Sequence, residues 1–204
     1  MNIWKKSQKG ITISKFNFGM TIIVVPYHIN KTTIYFIYLG RKCKMEQIKQ
    51  IKIADLQDCV KVINKSFATV AREFNLSEQN CPRHPSFMEI DTLQKRFTDG
   101  YQMFGLYEQE KLVGYVSISI DEDNVAELHN LAVLPGYRHK GYGKRLLDYC
   151  ETKAKEMGCN KIKIEIIEEN RILKNWYLKN GFIHLFIKKF DYLPFTVGFM
   201  EKHI

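Results

Sequence analysis

No aspartate or glutamate occurs before Glu46 in this 204-residue chain, although 22 acidic residues follow. The same opening stretch carries eight basic residues: Lys5, Lys6, Lys9, Lys15, Lys31, Arg41, Lys42 and Lys44. Of the 31 basic residues, 23 therefore face all 22 acids from Met45 onward, and the net charge of +9 falls to about +1 in the body of the chain. That balance excludes a globally basic nucleic-acid binder as the reading of the body.

Other absences narrow the class further. The five cysteines (Cys43, Cys59, Cys81, Cys150 and Cys159) form no CxxC pair and are odd in number. They supply neither a disulfide framework nor a zinc knuckle, and they point to a reducing, cytoplasmic setting. A His-Glu-x-x-His motif is missing, as is any His/Cys/Asp set at metal-ligand spacing, so no metal is expected. No Ser/His/Asp or Cys/His arrangement stands out, which argues against an acyl-enzyme. The apolar stretch 21–39 is interrupted by Pro26, His28, Asn30 and Lys31, so it does not read as a membrane span. Residues 7–14 lack the continuous apolar run of a signal peptide. Internal repeats and low-complexity tracts are also missing.

What is present reads as one domain with an appendage, with 45% hydrophobic and 26% charged residues. In residues 1–44, the runs 11–18, 21–25 and 32–38 are rich in β-branched and aromatic residues, as strands are. Two readings stay open for this extension. It is an added β-hairpin, or it is a translated leader upstream of a start at Met45. Gly40-Arg41-Lys42 can be encoded by a purine-rich, ribosome-binding-like run, and the charge balance changes at the same place.

From residue 45 to 204 the pattern is regular. Residues 47–53 alternate as a short strand, and Asp55 supplies a helix-start carboxylate before Leu56, Val60, Ile63 and Phe67 at helical spacing. Pro82 and Pro85 break 75–86 into a loop, and Asp91 caps a short helix ending at Gly100. Strands follow over 101–107, 112–120 and 125–134, then a helix over 144–157 and a strand over 161–167. A helix capped by Asn170 runs to Gly181, and strands over 182–190 and 195–202 close the chain. The order β-α-α-β-β-β-α-β-α-β-β implies an α/β (α+β) domain with a mixed sheet flanked by helices.

The stretch 131–144 concentrates the chemistry. An apolar strand (Leu131, Ala132, Val133, Leu134) stops at Pro135-Gly136, and a basic glycine-containing turn leads into a helix. A strand–turn–helix junction presents main-chain N–H groups at a helix N-terminus, where the dipole favours an anion. Gly141 and Gly143 remove side chains that would hold a phosphate off those amides, while Arg138, His139, Lys140 and Lys144 add local positive charge.

Arg138-His139-Lys140-Gly141-Tyr142-Gly143 resembles the Arg/Gln-x-x-Gly-x-Gly/Ala signature of the GNAT superfamily of N-acetyltransferases. An independent second element, Asn170 followed by Tyr177 and Gly181-Phe182, is similar to that family's Asn…Tyr-x-x-x-Gly-Phe. The resemblance covers about residue 47 to the C-terminus and implies a GNAT-like splayed sheet and acetyl-CoA as acyl donor. It implies that main-chain groups over 141–144 (Gly141, Tyr142, Gly143, Lys144), with Arg138 and Lys140 beside them, bind the pyrophosphate. Main-chain groups of Leu131 and Val133, with Asn170 opposite, would hold the pantetheine arm. Tyr177 would be the general acid toward the leaving thiolate, and Glu127, on the strand leading into the cradle, the general base. His129 shares the face of Glu127 as an alternative base or a water-holding partner, and a bulge in this strand is expected. His84 reads as a loop histidine that could line the acceptor site. Leu173 and Trp176 depart from the family's usual smaller or aliphatic residues.

The implied activity is direct acetyl transfer from acetyl-CoA to a primary amine in a ternary complex, on a small-molecule or peptide acceptor. Two alternatives stand beside it: a CoA-binding sensor without turnover, and an acetyltransferase anchored to RNA or the ribosome by its basic extension. A monomer and a homodimer are both compatible with the sequence.

Overall fold

The computed structural model describes the backbone of 4–8, 11–15, 20–29 and 32–41, and residues 46–204 in full. The chain divides into two compact units, Met1–Met45 and Glu46–Ile204. In the first, β1 (Trp4–Gln8), β2 (Ile11–Lys15), β3 (Met20–Ile29) and β4 (Thr32–Arg41) pair antiparallel in chain order. Pro26 lies in β3 beyond the last β2 partner, Val24, so its missing N–H is not needed on that side. The basic side chains counted in this extension lie outside the described residues.

The second unit runs β5 (Glu46–Gln50), α1 (Leu56–Glu73), α2 (Ile90–Thr98), β6 (Gln102–Glu108), β7 (Lys111–Ile120) and β8 (Ala126–Val133). It continues with α3 (Tyr142–Glu156), β9 (Lys161–Ile167), α4 (Arg171–Lys179), β10 (Ile183–Lys189) and β11 (Thr196–His203). The element order is the one the periodicity predicts. The seven strands lie in the order β10-β11-β9-β8-β7-β6-β5, and β8–β9 is the one parallel pair in that sheet.

Element ends differ from the sequence reading where local polar groups decide them. Residues 53–55 form a 3-10 turn instead of extending β5. Asp55 precedes α1, but its carboxylate accepts from the Lys52 amide at 3.0 Å and caps nothing in α1. Asp91 sits inside the first turn of α2 behind Glu89. Helix α3 starts at Tyr142, two residues before the expected Lys144, because Gly141 takes the left-handed conformation (φ 80°) that lets the turn close.

Both faces of the middle of the sheet are covered. Leu106, Val113, Val116, Ile118, Ala126 and Leu128 pack against Leu146, Leu147, Cys150 and Ala154 of α3. On the other face Met103, Tyr115 and Ala132 meet Leu56, Cys59, Val60 and Ile63 of α1 and Leu93 of α2. Apolar burial on this scale is the main stabilising term. Cys59, Cys81, Cys150 and Cys159 are free and buried.

Two irregularities open the middle of the sheet. Between Tyr115 and Ser117 the β7–β8 register slips, so that Ala132 and His129 flank an inserted residue, and Asn130 there has φ 52°. This is the bulge expected in that strand. An inserted residue bends its strand. β8 then pairs with β9 only through Ala126↔Ile162 and Glu127↔Lys163, and beyond Glu127 the two parallel strands part.

Candidate active site

The cradle is built almost wholly of main chain. A 3-10 turn over Pro135–Tyr137 is closed by Arg138 N–H donating to the Pro135 carbonyl at 3.2 Å. His139 (φ 61°) and Gly141 (φ 80°) then reverse the chain, and the first bond of α3 runs from the Arg145 amide to the Gly141 carbonyl at 3.1 Å. No acceptor among the described residues takes the amides of His139 to Lys144, and no side chain caps α3. Successive amides in such a turn, at the positive end of a fifteen-residue helix, form an anion nest.

The glycines fit the same use. A Cβ at Gly141 would meet nothing within 4 Å. At Gly143 it would make only ordinary contacts, 3.6 Å to Trp176 Cζ2 and 3.8 Å to Leu131 Cδ2. No contact among the described residues requires Gly143 to lack a side chain, and the approach to its amide is left open. The residues present therefore fit the pyrophosphate of an acyl-CoA.

The motif's side chains mostly turn away from this space. Tyr142 is buried, and its hydroxyl lies 2.8 Å from Glu46 Oε1 and 3.0 Å from Glu108 Oε1, while Arg145 also pairs with Glu46. Lys144 pairs with Asp148 one turn on, and Lys140 lies 4.8 Å above the Tyr137 ring. Arg138, expected beside the pyrophosphate, instead donates through Nε to the Val133 carbonyl (3.2 Å), through Nη1 to Thr69 Oγ1 (3.1 Å) and through Nη2 to the Ser66 carbonyl (2.7 Å). The Val133 carbonyl is thereby occupied, leaving Leu131 and the Val133 amide as the main-chain candidates for a pantetheine arm.

Across the split between β8 and β9, α4 supplies the opposing wall. Asn170 is buried and its Oδ1 accepts from the Leu173 amide at 3.0 Å, so it caps α4 and leaves its amide nitrogen as the available donor. Trp176 reaches back to Gly143 and packs edge-on against Tyr177, whose ring in turn meets Phe182. The Tyr177 hydroxyl has no hydrogen-bond partner among the described residues. Burial, and then the neighbouring Cys150, push its pKa well above the usual phenol value.

Glu127 and His129 share the α1/α2 face of β8. The carboxylate Oε2 lies 3.8 Å from His129 Nε2, and that nitrogen lies 2.8 Å from Ser119 Oγ. Burial raises the Glu127 pKa, Glu165 and Asp121 raise it further, and Lys163 and Arg96 pull it back. His129 is pushed down to about 4 by burial and then by Arg96, so its ring is neutral at pH 7. His84 lies in the loop that Pro82 and Pro85 mark. It is buried between the Phe67 and Phe87 rings, its Nδ1 takes the Ser86 amide at 3.3 Å, and burial lowers its pKa to about 4. It caps the 85–87 turn.

Residues that the sequence reading did not single out complete this end. Tyr101 packs on His129 with ring centroids 5.1 Å apart, and Arg96 lies 5.8 Å over Tyr101. Asn130 places a buried side-chain nitrogen without a partner at the bulge. An asparagine is among the few residues tolerant of positive φ, which was its one sequence signal. The other two carry none, because α2 and the residue before β6 reach this end only through the packing of distant segments.

A seven-stranded sheet that parts beside one parallel pair, with an anion nest at the next helix, defines an acyl-CoA-binding α/β domain. The acetyltransferase (GNAT) family matches residues 68–182, over half of the chain, and the chain belongs to that family. A spermidine N(1)-acetyltransferase from Thermoplasma acidophilum is 25% identical over 141 residues, covering 67% of this chain and 87% of the relative. The [ribosomal protein bS18]-alanine N-acetyltransferase of Haemophilus influenzae is 31% identical over 113 residues, covering 55% and 75%. Among solved structures, the ribosomal-protein-S18-alanine N-acetyltransferase from Escherichia coli superposes with a TM-score of 0.64 at 18% identity, over 78% of this chain and 94% of that one. The PaiA N-acetyltransferase from Thermoplasma acidophilum, in complex with coenzyme A, gives 0.61 at 22% identity, over 78% and 99%. The protein is an acetyl-CoA-dependent N-acetyltransferase. Among the described residues no helix is long and apolar enough to cross a membrane.

Proposed function

We propose that residues 45–204 form the catalytic unit and move an acetyl group directly to a primary amine, with both substrates bound at once. The observation that supports this most is the juxtaposition of unpartnered amides over 139–144 with the opening between β8 and β9. Acetyl-CoA supplies an activated thioester at that opening. The His139–Lys144 amides hold its pyrophosphate, and Leu131 with the Asn170 amide nitrogen guide the arm toward the bulge. Tyr177, kept protonated by burial, donates its proton to the departing sulfur as the C–S bond breaks. Glu127, whose ionised form is disfavoured, takes the proton that the amine releases as its nitrogen bonds to the acyl carbon. His129 is too weak a base for that task at neutral pH, and with Ser119 it orients Glu127 or an intervening water.

The acceptor is a small amine or a peptide amine, as for the relatives named above, and the setting proposed is the cytoplasm. The test is acetyl-CoA consumption against a panel of polyamines, amino acids and peptides bearing free N-termini. Turnover that disappears in Tyr177→Phe, with coenzyme A still bound, supports the assignment. Undiminished turnover in both Tyr177→Phe and Glu127→Gln refutes it.

A further inference from the structure

Arg138 opens the family-like motif, yet its guanidinium faces no ligand space. Its three bonds go to the end of β8 (Val133) and to α1 (Ser66 and Thr69). All three acceptors are neutral oxygens, so the group acts here as a planar fork that fixes directions. Thr69 Oγ1 also donates to the Ser66 carbonyl at 3.0 Å, which ties the two α1 acceptors to each other. Between them sits Phe67, whose ring meets His84 at 5.8 Å. One turn on, Ala71 packs with Leu76 and Cys81 against Phe195 and Ile167. The half of α1 that Arg138 holds thus carries a wall on the same sheet face as Glu127 and His129.

We propose that Arg138 is a positioning residue, a strut through which occupancy of the cradle sets the C-terminal half of α1, and not a ligand of the pyrophosphate. The inference rests on the cradle binding coenzyme A, as above. Its physical content is linkage. An anion that fixes the 138–144 turn also fixes the base of the Arg138 side chain, and through three bonds the Ser66–Thr69 turn. The coupling needs no direct contact between Arg138 and the anion.

The test uses the full chain and coenzyme A alone, read by amide hydrogen exchange of residues 63–73 and by titration calorimetry. In the wild type, coenzyme A slows exchange in this half of α1 severalfold. Thr69→Val removes one prong without touching the cradle, and Arg138→Lys keeps the charge but not the fork. Both variants lose the coenzyme-dependent protection, while the dissociation constant for coenzyme A changes less than about threefold. A tenfold or greater loss of coenzyme A affinity in Arg138→Lys, with Thr69→Val unaffected in both readouts, overturns the proposal and makes Arg138 a phosphate ligand. So does wild-type α1 exchange that ignores bound coenzyme A. No binding of coenzyme A by the wild type at all would refute the cradle itself, which calorimetry distinguishes from loss of coupling.

Discussion

At the α3 end of the site the groups offered to a ligand are main-chain amides, whereas at the β8 end they are side chains whose protonation is set by burial. The two ends respond to sequence change in opposite ways. A cradle of amides tolerates any side chain that points away, as Tyr142, Lys144 and Arg138 do, and is sensitive only to added bulk at its glycines. In the proposed reaction the β8 end depends on single atoms: the Tyr177 hydroxyl, the Glu127 carboxylate and the Ser119–His129 pair. Binding and chemistry therefore separate along the site, and substitutions can be chosen to move one without the other.

The largest effect is expected for Tyr177→Phe. Losing a general acid removes on the order of 10²-fold or more from kcat. Because Tyr177 lies in the wall and not in the nest, the calorimetric dissociation constant of coenzyme A should change less than about threefold. A parallel loss of affinity would mean that the ends are not separable.

Glu127→Gln should lower kcat/KM by roughly 10-fold to 10²-fold. In the wild type the acid limb of the pH profile should lie above the value of about 4.3 usual for a glutamate, because burial and two neighbouring carboxylates disfavour the ionised form. The sign for stability is the reverse of that for activity. A carboxyl with a raised folded pKa supports the fold only while protonated, and that contribution is lost as the pH climbs through the raised value. Removing the charge should therefore leave the protein at least as stable at pH 7 while activity falls, as thermal unfolding would show. His129 and His84 work in the opposite pH range. Both are held neutral down to about 4, so the unfolded chain binds protons first, and stability should fall as pH drops from about 6.5 toward 4.

Gly143→Ala addresses the cradle. A methyl there meets protein atoms only at ordinary contact distances, and alanine is the better helix former by up to about 1 kcal/mol. Thermal stability should hold or rise while coenzyme A affinity falls about tenfold, which corresponds to about 1.4 kcal/mol. A destabilised variant with normal affinity would show that the space belongs to packing.

The same contrast explains what could be read from the residues. Gly141 and Gly143 after an apolar strand announce an anion nest because main-chain exposure leaves a mark in residue type. Element order was equally legible, since 112–120 keeps a two-residue period although the strand is buried on both faces, and 146–157 keeps the helical spacing of a single buried stripe. The roles of the motif's side chains were not. Nothing local tells that Arg138 reaches back across 72 residues to Ser66, or that the Tyr142 hydroxyl meets Glu46. Pro82 and Pro85 mark the loop that holds His84, but they carry no signal of its burial. In fact Phe67 and Phe87 enclose it. Pairing of distant segments decides such contacts, and a single sequence does not display it.

The smallest expected effect gives the sharpest test of the comparison. Lys144 lends its amide to the nest and, by charge alone, its side chain is the natural phosphate partner. Its ammonium is half exposed and pairs with Asp148. Surface pairs of this kind contribute about 0–1 kcal/mol, and withdrawing the lysine from its partner to meet an anion would forfeit that. Lys144→Ala removes the charge and leaves the Lys144 amide in place. Coenzyme A affinity should fall no more than about threefold, and that modest loss should shrink further as ionic strength rises. A tenfold loss would instead mean that side-chain charge does the holding at the α3 end as well, and the division between a main-chain end and a side-chain end would not survive.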